Sequence, residues 1–514
     1  MSEKSKRPNF VLFITDQHRA DYLGCYGHPV LRTPNIDGIA EKGLRFEQFY
    51  VASPVCMPNR ASLMTGRLPS VHGVRLNGIP LPLESKTFVD KLASKGYRTA
   101  LVGKSHLQNF TGMSVYGDQA VPDEAVARNL RGEEYLNELP EFWETDDPEI
   151  PLPFYGFQHV DLITGHGDHC GGAYGRWLRE RLPNADELIG AKHQLPHNYS
   201  CPQAVRTALP EELYSTSYIA EKAIEYLQNV SDEPFFLMVS FPDPHHPFNP
   251  PGRYWDAYRP EDMQVPEAFR RPDWTPPPHV QAAYEERETG VAVIQGMNTI
   301  SCTEQEALEA RALTCGMIEM IDDAVGRVLG ALNVSGKSNE TVTIFTSDHG
   351  DHLGDHKLLL KGSEQYSDIT RVPFIWADPE EAKRGATDQL GQTHDISSTI
   401  LARAGLSSYV GTQGRDLFGE NERDALLIQY EHQKQHLAFG KPPRVHSVVD
   451  GDWRLSIFDG ADWGELYDLK NDPGEFINLW DAPDAAATKA RLMERLARLE
   501  IEAVDHIPRP TMRA

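Results

Sequence analysis

Five unbroken apolar runs constrain the fold more than any other feature: residues 9–15, 99–103, 235–241, 341–347 and 372–376. Each is rich in β-branched and aromatic residues, and none alternates with polar ones. That texture predicts strands buried on both faces rather than strands with one wet side. Amphipathic stretches at 86–95 and 218–230, and a longer one at 304–332, fall between them. Strands alternating with helices predict a mostly parallel sheet sandwiched by helices. Two stretches rich in Pro, Gly, Asp and His, 117–210 and 242–278, read as long excursions over the sheet edge. Beyond residue 427 the texture changes: 453–458 and 465–469 suggest antiparallel strands, and 485–504 a Leu/Ala/Arg-rich helix. At about 150 residues per domain, 514 residues exceed one structural unit. The expectation is α/β: a large domain over 1–426, and a smaller α+β subdomain with an antiparallel sheet over 427–514.

Charge narrows the partners. The chain carries 75 Asp plus Glu against 50 Lys plus Arg, a net charge of −25. Such a surface disfavours nucleic acid or an anionic membrane as the main partner. No run approaches the roughly 20 apolar residues of a membrane span. The apolar run at 10–14 is shorter than the core of about 7–15 residues in a signal peptide, so a cytoplasmic location is expected. Six cysteines (Cys25, Cys56, Cys170, Cys201, Cys302 and Cys315) lie scattered without a CxxC pair. A disulfide scaffold or structural zinc site is therefore not expected.

In open α/β sheets, ligands bind beyond the carboxyl ends of the strands. Asp16 follows the first run, Lys104 and His106 the second, His245 and His246 the third, and Asp348 and His349 the fourth. Each alone is ordinary turn chemistry; four on one rim predict a site. Asp16, Asp348 and His349 are oxygen and imidazole donors suited to calcium, magnesium or manganese. Gly350 supplies the irregular backbone that lets adjacent ligands converge, while His352 and His356 are expected to brace the loop. A second group, His166, Asp168 and His169, could also bind a metal, but no strand is recognisable before it and it reads first as a substrate-side loop. In PVCMPNRASLMTGR, Pro58 fits the first turn of a helix, so Cys56 sits beside free N–H groups and the positive end of a dipole. That position is expected to lower the thiol pKa, with Arg60 returning a charge-assisted bond.

These residues resemble the sulfatase family of the alkaline phosphatase superfamily. Cys56-Met57-Pro58-Asn59-Arg60 matches the C-x-P-x-R signature and Leu63-Met64-Thr65-Gly66-Arg67 the element after it. TPNIDGIAEKGLRF, the GKSH element, PHHPF, SDHGDHLGDH and ELYDLKNDPGEFINL extend the likeness over nearly the whole chain. The resemblance implies an alkaline phosphatase-like fold and a maturation enzyme that oxidises Cys56 to formylglycine, whose hydrated aldehyde is the nucleophile. It implies one divalent metal held by Asp16, Asp348, His349 and the modified Cys56, polarising the sulfate oxygens. Arg60 and Lys104 would orient the diol, and one diol oxygen would attack sulfur and expel the alcohol or phenol. His245 and Lys361 would flank the sulfate and assist the leaving oxygen, with His246 an alternative to His245. His106 would take the proton of the second hydroxyl, returning the aldehyde and releasing sulfate.

Two departures shape the substrate reading. The pair after the first strand is Asp16-Gln17 where many sulfatases have two aspartates, a form typical of the branch with choline sulfatases and phosphonate monoester hydrolases. Against the latter, the chain keeps Lys104 and His106; Asn77 sits where that branch places a substrate contact. Small aryl or alkyl sulfate monoesters come first, with promiscuity toward phosphonate monoesters and phosphodiesters. A phosphonate monoester hydrolase or phosphodiesterase, a choline sulfatase, and a non-catalytic anion-binding homologue are the alternatives. Phe110, Tyr174, Trp177, Phe248 and Tyr254 are candidate walls of an aryl pocket, and the tail IPRPTMRA resembles arms that stabilise homo-oligomers, dimers or tetramers, in this branch.

Overall fold

A computed structural model describes residues 7–115, 125, 130–292, 297–435 and 437–512. A nine-stranded sheet forms its centre. In chain order the strands are β1 (Asn9–Thr15), β2 (Leu44–Phe46), β3 (Arg98–Lys104), β4 (His159–Thr164), β5 (Gly171–Gly172), β6 (Phe235–Ser240), β7 (Thr341–Ser347), β8 (Phe374–Ala377) and β9 (Gly385–Thr387). Across the sheet they run β9-β2-β8-β7-β1-β6-β3-β4-β5. The five at the centre, β7-β1-β6-β3-β4, are mutually parallel.

Every residue of β1, β6 and β7 is buried, as continuous apolar runs demand. Side chains alternate between the two faces. Val11 and Phe13 of β1 pack on one side with α1 (Pro34–Lys42), α3 (Ser215–Gln228) and the long α4 (Glu304–Val334). Phe10, Leu12 and Ile14 pack on the other with α2 (Cys56–Thr65) and α5 (Asp395–Arg403). Each fully buried Leu, Ile or Phe contributes about 1.5–3 kcal/mol, so this double layer carries much of the stability. The capping box of Thr303 and Glu306 starts α4 by satisfying its first N–H groups.

Two expectations change. The apolar run at 372–376 forms β8, which is antiparallel to β7 and β2 rather than part of the parallel core. The stretch 117–210 is more than an excursion: it contributes β4 and β5 to the sheet and a helix at Ala173–Arg181. Residues 116–124 and 126–129 of it lie outside the described residues. The 242–278 stretch holds only short 3-10 turns.

A second sheet is an antiparallel meander of β10 (Leu426–Glu431), β11 (Arg444–Val449), β12 (Trp453–Phe458) and β13 (Gly464–Asp468). Helix α6 (Ala486–Glu502) covers it through Leu492, Leu496 and Leu499, at the four- and three-residue spacing of one helix face. Gln429 N donates to Ala52 O at 3.0 Å, joining this sheet to the segment just before α2. Among the described residues no helix is long and apolar enough to cross a membrane. All six cysteines are free; Cys25 is half-buried and the others are buried.

Candidate active site

The carboxyl ends of β1, β3, β4, β6 and β7 open on one buried cluster. Asp16 follows β1, Lys104 ends β3, and Asp348 and His349 follow β7, while Cys56 opens α2 and faces them. One ligand atom each from Asp16, Cys56, Asp348 and His349 lies within 4.8 Å of all the others. His349 Nε2 is 3.1 Å from Cys56 Sγ, 3.4 Å from Asp16 Oδ1 and 3.6 Å from Asp348 Oδ1. Its other nitrogen, Nδ1, is 2.9 Å from Gly350 O, which leaves Nε2 as the lone-pair nitrogen. Burial, reinforced by Lys361, lowers the His349 pKa to about 4, so the imidazole is neutral at ordinary pH. Carboxylate oxygens, a lone-pair nitrogen and a sulfur thus crowd one point with almost no donor between them. A divalent cation is what that donor set fits.

Glycines make the close approaches. A Cβ on Gly350 would stand 2.0 Å from Asp368 O, and one on Gly103 would stand 1.9 Å from Ser240 O. Gly103 also has a φ of 110°, which turns the chain as β3 delivers Lys104.

Three cations surround the donors. Arg60, four residues into α2, gives Nε to Asp348 Oδ2 at 2.7 Å and Nη1 to Ser240 Oγ at 3.0 Å. Its Nη2 lies 3.8 Å from Asp16 Oδ2 and has no hydrogen-bond partner. Lys104 Nζ pairs with Asp16 and sits 2.7 Å from His166 Nε2. Lys361 Nζ donates to Gln17 Oε1 at 2.5 Å and to His245 Nε2 at 2.7 Å. Burial alone would raise the Asp16 carboxyl, but the Lys104 ammonium holds it well below the usual carboxylate range. Burial and the neighbouring cations push His245, His246 and His166 down, His166 to about 3. The imidazoles are therefore neutral, and three cations face two carboxylates. The local balance is positive inside a strongly acidic protein.

Of the residues expected from sequence, Asp16, Cys56, Arg60, Lys104, His245, Lys361, Asp348 and His349 meet here. Asn77 reaches the rim, its Oδ1 accepting from Met57 N at 3.1 Å at the start of α2. His106 stands farther out, its ring 3.9 Å from Phe110 and 6.4 Å from His166. Histidines 245 and 246 separate: His245 faces Lys361, whereas His246 Nδ1 is 3.0 Å from Gln17 Nε2. Gln17, with a left-handed φ of 63°, also bonds Asp351.

Several expectations need correction. Cys56 is not a low-pKa thiol: burial, with Asp16 beside it, pushes it up to about 12 despite the helix end. Arg60 spends its bonds on Asp348, Ser240 and Lys104 O rather than on Cys56. His166, Asp168 and His169 do follow a strand, β4, and they part company. His166 enters the site, stacked on His245 at 3.6 Å, while Asp168 accepts from Gly190 N and His169 is exposed. The HVDLIT run was the signal for His166; its Asp and exposed first half hid it. Of the candidate aromatics only Phe110 borders the site; Tyr174, Trp177, Phe248 and Tyr254 are core residues.

A family model described as Sulfatase matches residues 8–406, and one described as N-sulphoglucosamine sulphohydrolase, C-terminal, matches 354–502. The chain belongs to the sulfatase family. It is 30% identical to an arylsulfatase of Clostridium perfringens over 487 residues, covering 92% of this chain and 90% of that one. It is 27% identical to a multifunctional alkaline phosphatase superfamily protein of Trinickia caryophylli, covering 94% and 93%. Among solved structures, the phosphonate monoester hydrolase of Agrobacterium radiobacter superposes with a TM-score of 0.73 at 26% identity, covering 97% of each chain. This sulfatase is thus a sulfuric ester hydrolase, built on the fold of the alkaline phosphatase superfamily.

Proposed function

We propose that this sulfatase hydrolyses small aryl or alkyl sulfate monoesters, with phosphonate monoesters and phosphodiesters as slower substrates. The observation that carries this reading is a buried four-donor cluster around Cys56, ringed by Arg60, Lys104 and Lys361. Asp16, Asp348, His349 and residue 56 would hold one divalent cation, calcium, manganese or magnesium, which when bound supplies polarisation of the sulfate oxygens. Conversion of Cys56 to formylglycine by a maturation enzyme supplies the nucleophilic oxygen that the encoded cysteine lacks.

Lys361, His245 and Lys104 bind the substrate's anionic oxygens and neutralise charge that grows as the ester bond breaks. The proton for the leaving oxygen is held at Lys361 Nζ and shared with His245 Nε2. His245 can accept there because its Nδ1 is turned 2.5 Å from His246 O. Lys104 and Arg60 orient the nucleophile from the side of Asp16 and Asp348. His106, whose Nδ1 has no partner, is placed to take up a proton as sulfate departs. The locally positive site inside an acidic surface favours small monoesters over polyanions.

Two measurements test the reading. Peptide mass spectrometry across Cys56 on protein from a host with the maturation enzyme should find formylglycine; a plain thiol in fully active enzyme would overturn the mechanism. kcat/KM for a matched aryl sulfate and aryl phosphonate should favour sulfate. The likeness to a phosphonate monoester hydrolase supports the second reading, which a large phosphonate preference would establish. The exposed tail carries Ile507 and Met512. We assign it to a homo-oligomeric contact, which a monomer in light scattering would reject.

A further inference from the structure

We propose that Glu138 is the positioning residue for His106: one buried carboxylate clamps the strap after β3 and fixes where that imidazole stands. The proposal rests on the proton-handling role given to His106 above. The strap runs from Ser105 to Phe110. His106 adopts a φ of 56°, a left-handed conformation that a non-glycine residue holds only when its surroundings impose it. Three consecutive N–H groups then converge on Glu138. His106 N donates to Oε2 at 2.8 Å, and Leu107 N and Gln108 N donate to Oε1 at 3.0 and 2.9 Å. Gln108 ties the strap to the same segment twice, accepting from Asn137 N at 3.0 Å and donating to Glu134 O at 3.0 Å.

Glu138 is fully buried, and its hydrogen bonds come from backbone N–H groups rather than from a cation. Burying a carboxylate this way is costly, and burial pushes its pKa up to about 7 against the pull of the three N–H bonds. Only a carboxylate serves all three donors. A carboxamide has one acceptor oxygen and would turn its NH2 toward an N–H.

What the clamp holds matters to the site. The His106 ring lies on Phe110 at 3.9 Å, Phe110 meets His166 edge-on at 5.3 Å, and Lys104 Nζ is 5.4 Å from the Phe110 ring centre. Releasing the strap would let His106 and Phe110 move together. Glu138 lies in the connection between β3 and β4, so that connection reaches back to order an imidazole at the outer side of the site.

The test is a double-mutant cycle on the full-length, converted, metal-loaded enzyme, using whichever aryl ester the wild type turns over. Glu138→Gln should lower kcat about 10- to 100-fold with KM within about 3-fold, as loss of an aligned base does. In a His106→Ala background the same change should alter kcat less than about 3-fold, because its target is gone. Gln108→Ala, which loosens the strap from the other side, should behave alike and stands in if Glu138→Gln does not fold. A kcat within twofold of wild type, or an equal loss with and without His106, would overturn the proposal. Failure of the sulfatase reading would show separately, as a wild type inert toward aryl sulfate.

Discussion

Replacing Arg60 by Met removes a charge from the most congested part of the site while nearly keeping the side chain's length. The guanidinium is 1% exposed and bonds Asp348 at 2.7 Å, Ser240 at 3.0 Å and Lys104 O at 3.2 Å. Without it, Asp348 keeps the backbone N–H of Gln17 at 3.2 Å and faces the lone pair of His349. Breaking a buried pair costs about 3–5 kcal/mol, because the remaining charge is left desolvated. The two neutral acceptors that lose a donor each add about 1 kcal/mol. In chelator, urea unfolding should therefore show Arg60→Met less stable by about 5–7 kcal/mol. A divalent cation should stabilise the variant more than the wild type, since it neutralises the same two carboxylates. On an aryl sulfate, kcat/KM should fall about 10²- to 10³-fold, the usual cost of losing one preorganised donor. A loss below about 1 kcal/mol in chelator, or equal cation stabilisation of both proteins, would refute this account of the site's electrostatics.

Four further outcomes are expected. Asp16→Asn strips the buried Lys104 of its carboxylate and removes a cation ligand; cation affinity by calorimetry should weaken at least about tenfold. Arg454 is buried between Glu475 at 2.6 Å and Glu465 at 2.9 Å, so Arg454→Met should cost about 3–5 kcal/mol, with early proteolysis of the C-terminal sheet as its readout. Gln433, from the β10–β11 connection, bonds Asn77 O; Gln433→Ala should raise KM about 3- to 10-fold with little change in kcat, if Asn77 contacts substrate. The folded-state pKa of Glu138 is raised from 4.5 to about 7. The wild type therefore loses stability as pH rises through that window, and Glu138→Gln does not. Urea unfolding from pH 4 to 8 should show the difference shifting toward the variant by on the order of 3 kcal/mol.

The clearest division between sequence and structure lies in how each residue reaches the site. Asp16, Lys104, Asp348 and His349 were legible because each comes within two residues of the end of an apolar run of five to seven residues, and strand ends converge by rule. Cys56 and Arg60 were legible because proline marks the first turn of their helix, and Lys361 through the resemblance alone. His166 was read only as part of a substrate-side loop, because its strand, HVDLIT, is exposed at its start and carries an aspartate, so it did not read as a buried run.

Electrostatics were decided by burial. A helix N-terminus alone favours a thiolate, yet Cys56 is buried with Asp16 beside it, and desolvation wins. The neutral state of five histidines (106, 166, 245, 246 and 349) has the same origin, together with the lysines packed among them. Glu138 could not be found from sequence at all. A glutamate two residues before a proline is unremarkable until the chain folds three N–H groups onto it.

What the sequence by itself determined is therefore the sheet, the helices that cover it and the residue types delivered to one rim, since periodicity and strand ends are local properties. What only the tertiary structure decided is which imidazole faces which lysine, which groups lose their charge and which distant carboxylate holds His106. Those depend on distances across the fold and on exclusion of water, which no local pattern encodes.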